Sequence, residues 1–468
     1  MIMKPLHFVC CAALAIAALS SSVYADDAAG AQKKNVLLII SDDLTCALGC
    51  YGHPLVKSPS IDALAARGVR FEHAYCQFPL CNPSRCSFMS GRRPDTTKVY
   101  DNGINFRQNL PDVLTIPQHF MKAGYFAARV GKIYHYGVPA QIGTNGLDDG
   151  ASWNKVVNPR GRDKDEEADV IQFTGKKAQL GASISWLQTG GNGEDHTDGK
   201  IATETIKLLE ENKDRPFFIA CGFFRPHVPC ISSENYFALY PLDRIQLPVE
   251  PPEHIAGIPP VALTTSPLNY GLEPEKLRIF TRAYFASTSL MDAQTGRVMA
   301  ALDRLNLSKN TVVVFIADHG WSLGNHGQWQ KRLLFEESAR VPMIICDPSG
   351  KNAGKTSSRT VELVDLLPTL TDMCGLGVPK DAEGFSLKPL VENPEAAWDH
   401  AAFTQVTRQK GVMGRSVRTE RWRFSEWDHG AKGLELYDHQ NDPHEFKNLA
   451  TDPNFAKTVA ELKSMLPR

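Results

Sequence analysis

Three uninterrupted apolar runs, each leading into polar residues, constrain this chain most. Asn35 to Ser41 reads NVLLIIS and enters Asp42-Asp43. Pro216 to Gly222 reads PFFIACG and leads to Arg225-Pro226-His227. Thr311 to Ala317 reads TVVVFIA and enters Asp318-His319. A run with no apolar–polar alternation fits a strand buried on both faces, as in a parallel sheet covered by helices. Val341 to Ile345 reads as a further short strand. Helical patterns lie between, over Ser60 to Arg67, Thr115 to Ala123, Thr203 to Asn212 and Lys276 to Leu305. Thr115 and Gln118 stand at capping-box spacing, and Gly124 suits a C-cap. The fold class expected is α/β, a large, mostly parallel sheet sandwiched by helices. Ligands of such sheets sit beyond the carboxyl ends of the strands. Asp42-Asp43 and Asp318-His319 are therefore predicted to share one rim.

The remaining segments read less clearly. Gln141 to Asp198, rich in Gly, Asp and Lys, is expected to be a long insertion or loop. Pro248 to Pro267 is Pro-rich and expected to be irregular. After about Gly375 the segments become short and turn-separated. Val417 to Glu426 and Leu434 to Tyr437 suggest a small antiparallel sheet, followed by a helix over Pro453 to Met465. With 468 residues, the chain suggests a large domain over 34–395 and a small C-terminal subdomain over 396–468. At the start, Lys4, the apolar stretch Phe8 to Leu19 and the Val23-Tyr24-Ala25 site read as a signal peptide over residues 1–25. A secreted or periplasmic protein is expected, with no membrane span further along. The 51 Lys and Arg balance 52 Asp and Glu, so no global charge recruits nucleic acid or an acidic membrane. Of 11 cysteines, Cys10 and Cys11 leave with the leader. The other nine could form disulfides that sequence cannot pair. None has paired CxxC spacing, so no structural zinc is expected.

The chemistry centres on Cys81-Asn82-Pro83-Ser84-Arg85. Pro83 suits a first helical turn and Gly91 its end, which puts Cys81 at a helix N-terminus, where backbone N–H groups favour an anion. A lone cysteine there would ordinarily be a core thiol. Together with the downstream Met89-Ser90-Gly91, however, CNPSR resembles the sulfatase signature C-x-P-S-R. That resemblance implies an alkaline-phosphatase-like fold and a cysteine oxidised to formylglycine by a dedicated maturation enzyme. The aldehyde hydrate is then the nucleophile that attacks sulfur, and sulfate leaves as the aldehyde re-forms.

Further motifs carry the same resemblance. Asp42-Asp43 and Asp318-His319-Gly320 resemble the family's two metal pairs. The resemblance implies one divalent cation, calcium by family expectation, held by Asp42, Asp43, Asp318, His319 and the modified Cys81. Histidine at 319 departs from the commoner Asp-Asn and is unusual for calcium. Gly131-Lys132-Ile133-Tyr134-His135 resembles the second signature, G-K-x-x-H. This makes Lys132 a sulfate contact and His135 a partner of the nucleophile. His227 and Lys331 match sulfate-contacting residues. Arg85, Lys132, Lys331 and the cation would stabilise negative charge, and His227 or Lys331 would protonate the departing alcohol. Gly91 to Asp101, GKIYH and DHGWSLGNHGQW look most like the iduronate-sulfatase branch, so the substrate expected is a sulfated sugar such as a uronate 2-sulfate in a glycosaminoglycan-like glycan. Lys98, Trp321, His326, Trp329 and Arg332 are candidate rim contacts by adjacency to motifs. Two alternatives remain: a phosphonate or phosphate monoester hydrolase of the same fold, and a glycan-binding protein with unmodified Cys81.

Overall fold

The computed structural model describes residues 33–176 and 179–467, and the leader expected over residues 1–25 lies outside them. Eight strands form the central sheet: β1 Asn35–Asp42, β2 Val69–Tyr75, β3 Phe126–Gly131, β4 Lys155–Val157, β5 Phe217–Pro226, β6 Thr311–Ala317, β7 Arg340–Cys346 and β8 Lys355–Glu362. Their order is β8-β2-β7-β6-β1-β5-β3-β4. β7 runs antiparallel to its neighbours β2 and β6, and the other neighbouring pairs are parallel. The three apolar runs are the adjacent strands β5, β1 and β6, buried along their whole length as their patterning requires.

Helices cover the sheet in two groups. Thr197–Asn212 and Pro274–Arg304 pack on β5 and on each other, with Pro59–Ala65 against the longer one. Cys81–Ser90, Ile116–Lys122 and Leu366–Met373 form the other group. The capping box of Thr115 and Gln118 is present, and Gly124 adopts φ 82° at the helix exit. Beyond the main sheet, β9 Ala402–Thr407, β10 Met413–Arg418, β11 Trp422–Trp427 and β12 Gly433–Asp438 make a four-stranded antiparallel sheet, with the helix Ala456–Met465 against β10 and β11.

Two expectations are corrected. Residues 141–198 are not simply a loop. They supply β4, the helix Arg162–Asp165 and the short strand Ser185–Thr189. These elements are too short to show a period. The third helix begins at Thr197 rather than Thr203. Its first turn is held by distant partners, since Thr197 donates its N–H and hydroxyl to Asp163 Oδ1, both at 2.7 Å. The segment 248–267 is irregular, with short 3-10 turns. Among the described residues, nine cysteines are all unpaired, and no helix is long and apolar enough to cross a membrane.

Candidate active site

Strand register builds the site. Ser41 pairs with Ala317, Asp42 with Pro226, and Gly131 with Gly222. Asp42-Asp43, Asp318-His319, Arg225-Pro226-His227 and Lys132 therefore leave the sheet side by side at its carboxyl edge. Asp43 turns there through φ 61°, a left-handed conformation that Asp adopts more readily than most residues. Tyr284, from the long helix, fixes this turn. Its hydroxyl donates to the Asp43 carbonyl at 2.7 Å and accepts the Thr45 N–H at 2.9 Å.

Cys81 is the first residue of the helix Cys81–Ser90, with Pro83 in its first turn and Gly91 closing it at φ 66°. Asn82 ties this N-terminus down. Its amide donates to the carbonyls of Ile104 at 2.7 Å and Asp101 at 3.1 Å. The side chains of Asp42, Asp43, Cys81, Asp318 and His319 all lie buried, with ligand atoms within 4.8 Å of one another. Three carboxylates with one imidazole suit a divalent cation that accepts oxygen ligands, so this donor set fits the expected metal.

Cations cross-link the cluster. Arg85 donates Nε–H to Asp318 Oδ2 at 2.8 Å and an Nη2–H to Asp42 Oδ1 at 3.1 Å. Its Nη1 donates to the carbonyls of Lys132 at 2.7 Å and Ile133 at 2.9 Å. So much of its donor capacity is used on the protein that Arg85 aligns the carboxylates rather than reaching outward. Lys132 Nζ donates to Asp42 Oδ2. Lys331 Nζ lies 2.6 Å from Asp43 Oδ1 and 3.1 Å from Cys81 Sγ. Gln330 at φ 77° and Arg332 at φ 70° flank it, so Lys331 is presented on a contorted turn. His319 Nε2 lies 3.4 Å from Cys81 Sγ, and its Nδ1 faces the Gly320 carbonyl at 3.0 Å. His227 Nδ1 is 2.6 Å from the Val228 carbonyl, which turns Nε2 inward to 3.6 Å from Asp43 Oδ2. His135 lies beside Cys81, and each shifts the other's titration. The structure thus brings all the motif residues together.

The electrostatics follow from burial and these neighbours. Burial disfavours a Cys81 thiolate, yet Lys132, Lys331 and His319 pull its thiol well below the ordinary value. Burial acts against the Asp42 carboxylate as well, but Lys132, His227 and Arg85 hold it below the usual range. At Asp318 burial prevails over Arg85 and pushes the carboxyl up to about 6. His319 is pushed up to about 9 because Asp318 and Asp43 outweigh its burial.

The rim differs from the adjacency reading. Trp321, His326 and Trp329 are buried, not exposed contacts. The Trp321 ring underlies Lys331 Nζ at 5.7 Å, and the Trp329 indole N–H donates to Asn269 at 2.8 Å. Trp at 321 and 329 therefore supports the turn that carries Lys331. Lys98 is exposed at the end of the helix Pro94–Thr97. Arg332 and Arg408 both reach the Thr407 carbonyl, at 3.4 and 3.3 Å. Part of the rim comes from the unreadable region: a Cβ on Gly181 would lie 1.8 Å from the Val138 carbonyl and 3.8 Å from His227. Gln330 donates to the Ala182 carbonyl at 3.3 Å.

Three residues that support the site carry no motif. Besides Tyr284, Asp163 and Asp198 hold the His227 turn through Arg225. Asp198 accepts the N–H groups of Phe224 at 2.8 Å and Arg225 at 3.0 Å, and Asp163 pairs with the Arg225 guanidinium. That guanidinium in turn donates to the carbonyls of His227 at 3.2 Å and Pro229 at 2.8 Å.

A family model described as Sulfatase matches residues 34–376, and one described as N-sulphoglucosamine sulphohydrolase, C-terminal, matches residues 324–468. The iduronate 2-sulfatase of Homo sapiens is 37% identical over 473 aligned positions, covering 84% of each chain. A solved 2-O GAG sulfatase is 25% identical, with a TM-score of 0.71 over 93% of this chain and 91% of that one. The phosphonate monoester hydrolase of Agrobacterium radiobacter is 23% identical, with a TM-score of 0.76 over 92% and 94%, and shares the fold.

Proposed function

The chain belongs to the sulfatase family, and from that premise we propose that it removes the 2-sulfate of a uronate in a glycosaminoglycan-like glycan, using formylglycine made from Cys81. As a sulfatase it is a sulfuric ester hydrolase. The observation that carries the reading is the seat of Cys81, at a helix N-terminus with Lys331 Nζ at 3.1 Å and His319 Nε2 at 3.4 Å.

Formylglycine would supply an oxygen nucleophile, and a divalent cation, calcium by family expectation, on Asp42, Asp43, Asp318 and His319 would polarise a sulfate oxygen. The other tasks fall to this chain's own side chains. Lys331, with its ammonium beside Cys81, neutralises charge on the sulfate and the leaving oxygen. Lys132 and Arg85 hold Asp42 and Asp318 in place. His227, with Nδ1 fixed on the Val228 carbonyl, presents Nε2 to protonate the departing alcohol. His135 orients the side chain at position 81.

A uronate is supported by the human iduronate 2-sulfatase and the 2-O GAG sulfatase among the relatives. It is also supported by charge beside Lys331. Arg332 and Arg408 converge on Thr407, and burial with the Arg332 charge pushes Arg408 down to about 10. Two crowded guanidinium groups would gain from a substrate carboxylate. We also propose export through the leader over residues 1–25, before or with maturation at Cys81. Peptide mass spectrometry on protein from its native host tests the nucleophile, with an aldehyde mass at position 81 expected and a thiol mass overturning it. Desulfation of defined glycans tests the substrate. Turnover confined to aryl or choline sulfate would overturn the uronate, and faster turnover of matched phosphate or phosphonate esters would overturn sulfate specificity.

A further inference from the structure

A second buried polar cluster lies behind the loop 318–339 that carries His319 and Lys331. His326 sits near the tip of that loop, in the turn Asn325–Gly327. Its ring is 1% exposed and stacked on Phe335 at 4.2 Å between centroids, yet neither ring nitrogen has a hydrogen-bond partner. An imidazole has either a lone pair or an N–H on each nitrogen, so leaving both buried without partners is costly.

The neighbours repeat the pattern. His254, from the Pro-rich segment, faces the Pro251 carbonyl with Nδ1. That contact occupies Nδ1, and Nε2 is buried without a hydrogen-bond partner. Glu250 Oε1 accepts the backbone N–H of His326 at 2.7 Å, and its Oε2 lies 3.5 Å from His254 Nε2. One ligand atom each from Glu250, His254 and His326 falls within a 4.8 Å cluster. Glu337 and Glu445 also lie within 4.8 Å of His326, and Glu337 Oε2 is likewise buried without a hydrogen-bond partner.

We propose that Glu250, His254 and His326 bind one zinc-class divalent ion, distinct from the cation expected at Cys81. Two imidazoles and a carboxylate are ligands that zinc accepts, whereas calcium takes oxygen ligands. A histidine fixed through Nδ1 on a carbonyl and ligating through Nε2 is a common arrangement at metal sites, and His254 has the Nδ1 half of it. Ligation turns the unpaired atoms into bonded ones. A cavity of about 610 Å3 lies nearby, lined by Glu337 and by Asn325, the chain neighbour of His326. Cysteine spacing pointed away from structural zinc, but these ligands contain no cysteine and come from separated segments. The ion would pin the Pro-rich segment to the tip of the loop bearing Lys331. Gln328 and Trp329 already take part in that contact, since Gln328 Oε1 accepts the N–H groups of Thr264 at 2.7 Å and Thr265 at 2.8 Å, and Trp329 donates its N–H to Thr265 at 3.1 Å.

The test is zinc-edge anomalous diffraction from crystals of the full chain, chelated and then equilibrated with Zn2+ alone. The expected result is a peak bonded to His254 Nε2, a nitrogen of His326 and Glu250, at roughly 2.0–2.2 Å. In solution, equilibrium dialysis should show His326→Gln and His254→Gln each losing one equivalent of zinc relative to the native chain. Both variants should keep the native circular dichroism spectrum, and the zinc-induced rise in melting temperature should vanish. Zinc found only at the Cys81 cluster or on cysteines overturns the proposal. So does an ordered water, without anomalous signal, filling the space between these rings at saturating Zn2+. If one variant fails to fold, Glu250→Gln with the diffraction experiment decides in the same way.

Discussion

Two buried polar clusters flank the loop 318–339, and they differ in how their charges are met. Around Cys81, the three carboxylates of Asp42, Asp43 and Asp318 face the three cations Arg85, Lys132 and Lys331. Around His326, buried nitrogens and a carboxyl oxygen make no hydrogen bond. The first cluster is balanced before any ligand arrives, so its groups are already aimed when substrate enters, as electrostatic preorganisation demands. The second is incomplete as it stands, and completing it would alter stability more than chemistry. Substitutions can separate these roles.

Cys81→Ala should have the largest effect. Removing the proposed nucleophile should lower kcat by at least about 10^4-fold, with zinc uptake at His326 unchanged. If His326→Gln cost as much turnover as Cys81→Ala, the two clusters would form one machine and the contrast would fail. Lys331→Ala comes next. It removes the ammonium beside Cys81 and should reduce kcat about 10^2- to 10^3-fold, most for poor leaving groups. An equal loss for good and poor leaving groups would reduce Lys331 to a binding residue. Arg332→Gln should act more weakly, raising KM about 10-fold on a uronate sulfate and little on an uncharged sulfated sugar. Equal effects on both would remove Arg332 from carboxylate recognition.

How much was visible beforehand follows the same divide. The Cys81 cluster was legible because its parts hang on local signals. β1, β5 and β6 are continuous apolar runs, and the acidic pairs and His227 stand directly beyond their ends. The order of the strands was not written locally, nor was the antiparallel turn of β7, whose short apolar run looks like any other strand. The rim is not legible in sequence, because adjacency to a motif says nothing about which way a side chain faces. Trp321 and Trp329 stand beside His319 and Lys331 yet point into the core. Tyr284, Asp163 and Asp198 were invisible because each meets its partner across long stretches of chain, through packing that no short window records. The His254–His326 pair escaped for the same reason.

Asp198 offers the smallest expected effect on turnover and the finest test of how the balanced cluster is supported. Its carboxyl is buried beneath the His227 turn and accepts two backbone N–H groups. Burial dominates over Arg225 and pushes it up to about 6. The unfolded chain holds an aspartate near 3.9, so the folded state retains the proton longer. Stability from this group is therefore fully present below about pH 4 and is lost as pH rises through about 6, by up to about 3 kcal/mol. Asp198→Asn cannot titrate, and it gives up one acceptor at a cost that does not vary with pH. Denaturant unfolding should then show the variant gaining on the native chain between pH 4 and pH 7, while kcat falls less than about 10-fold at pH 7. A constant gap across that range would mean Asp198 is ionised throughout. The N–H groups of Phe224 and Arg225 and the Arg225 charge would then outweigh burial and the nearby Asp163 carboxylate, and the support beneath His227 would be a charged network like the one around Cys81.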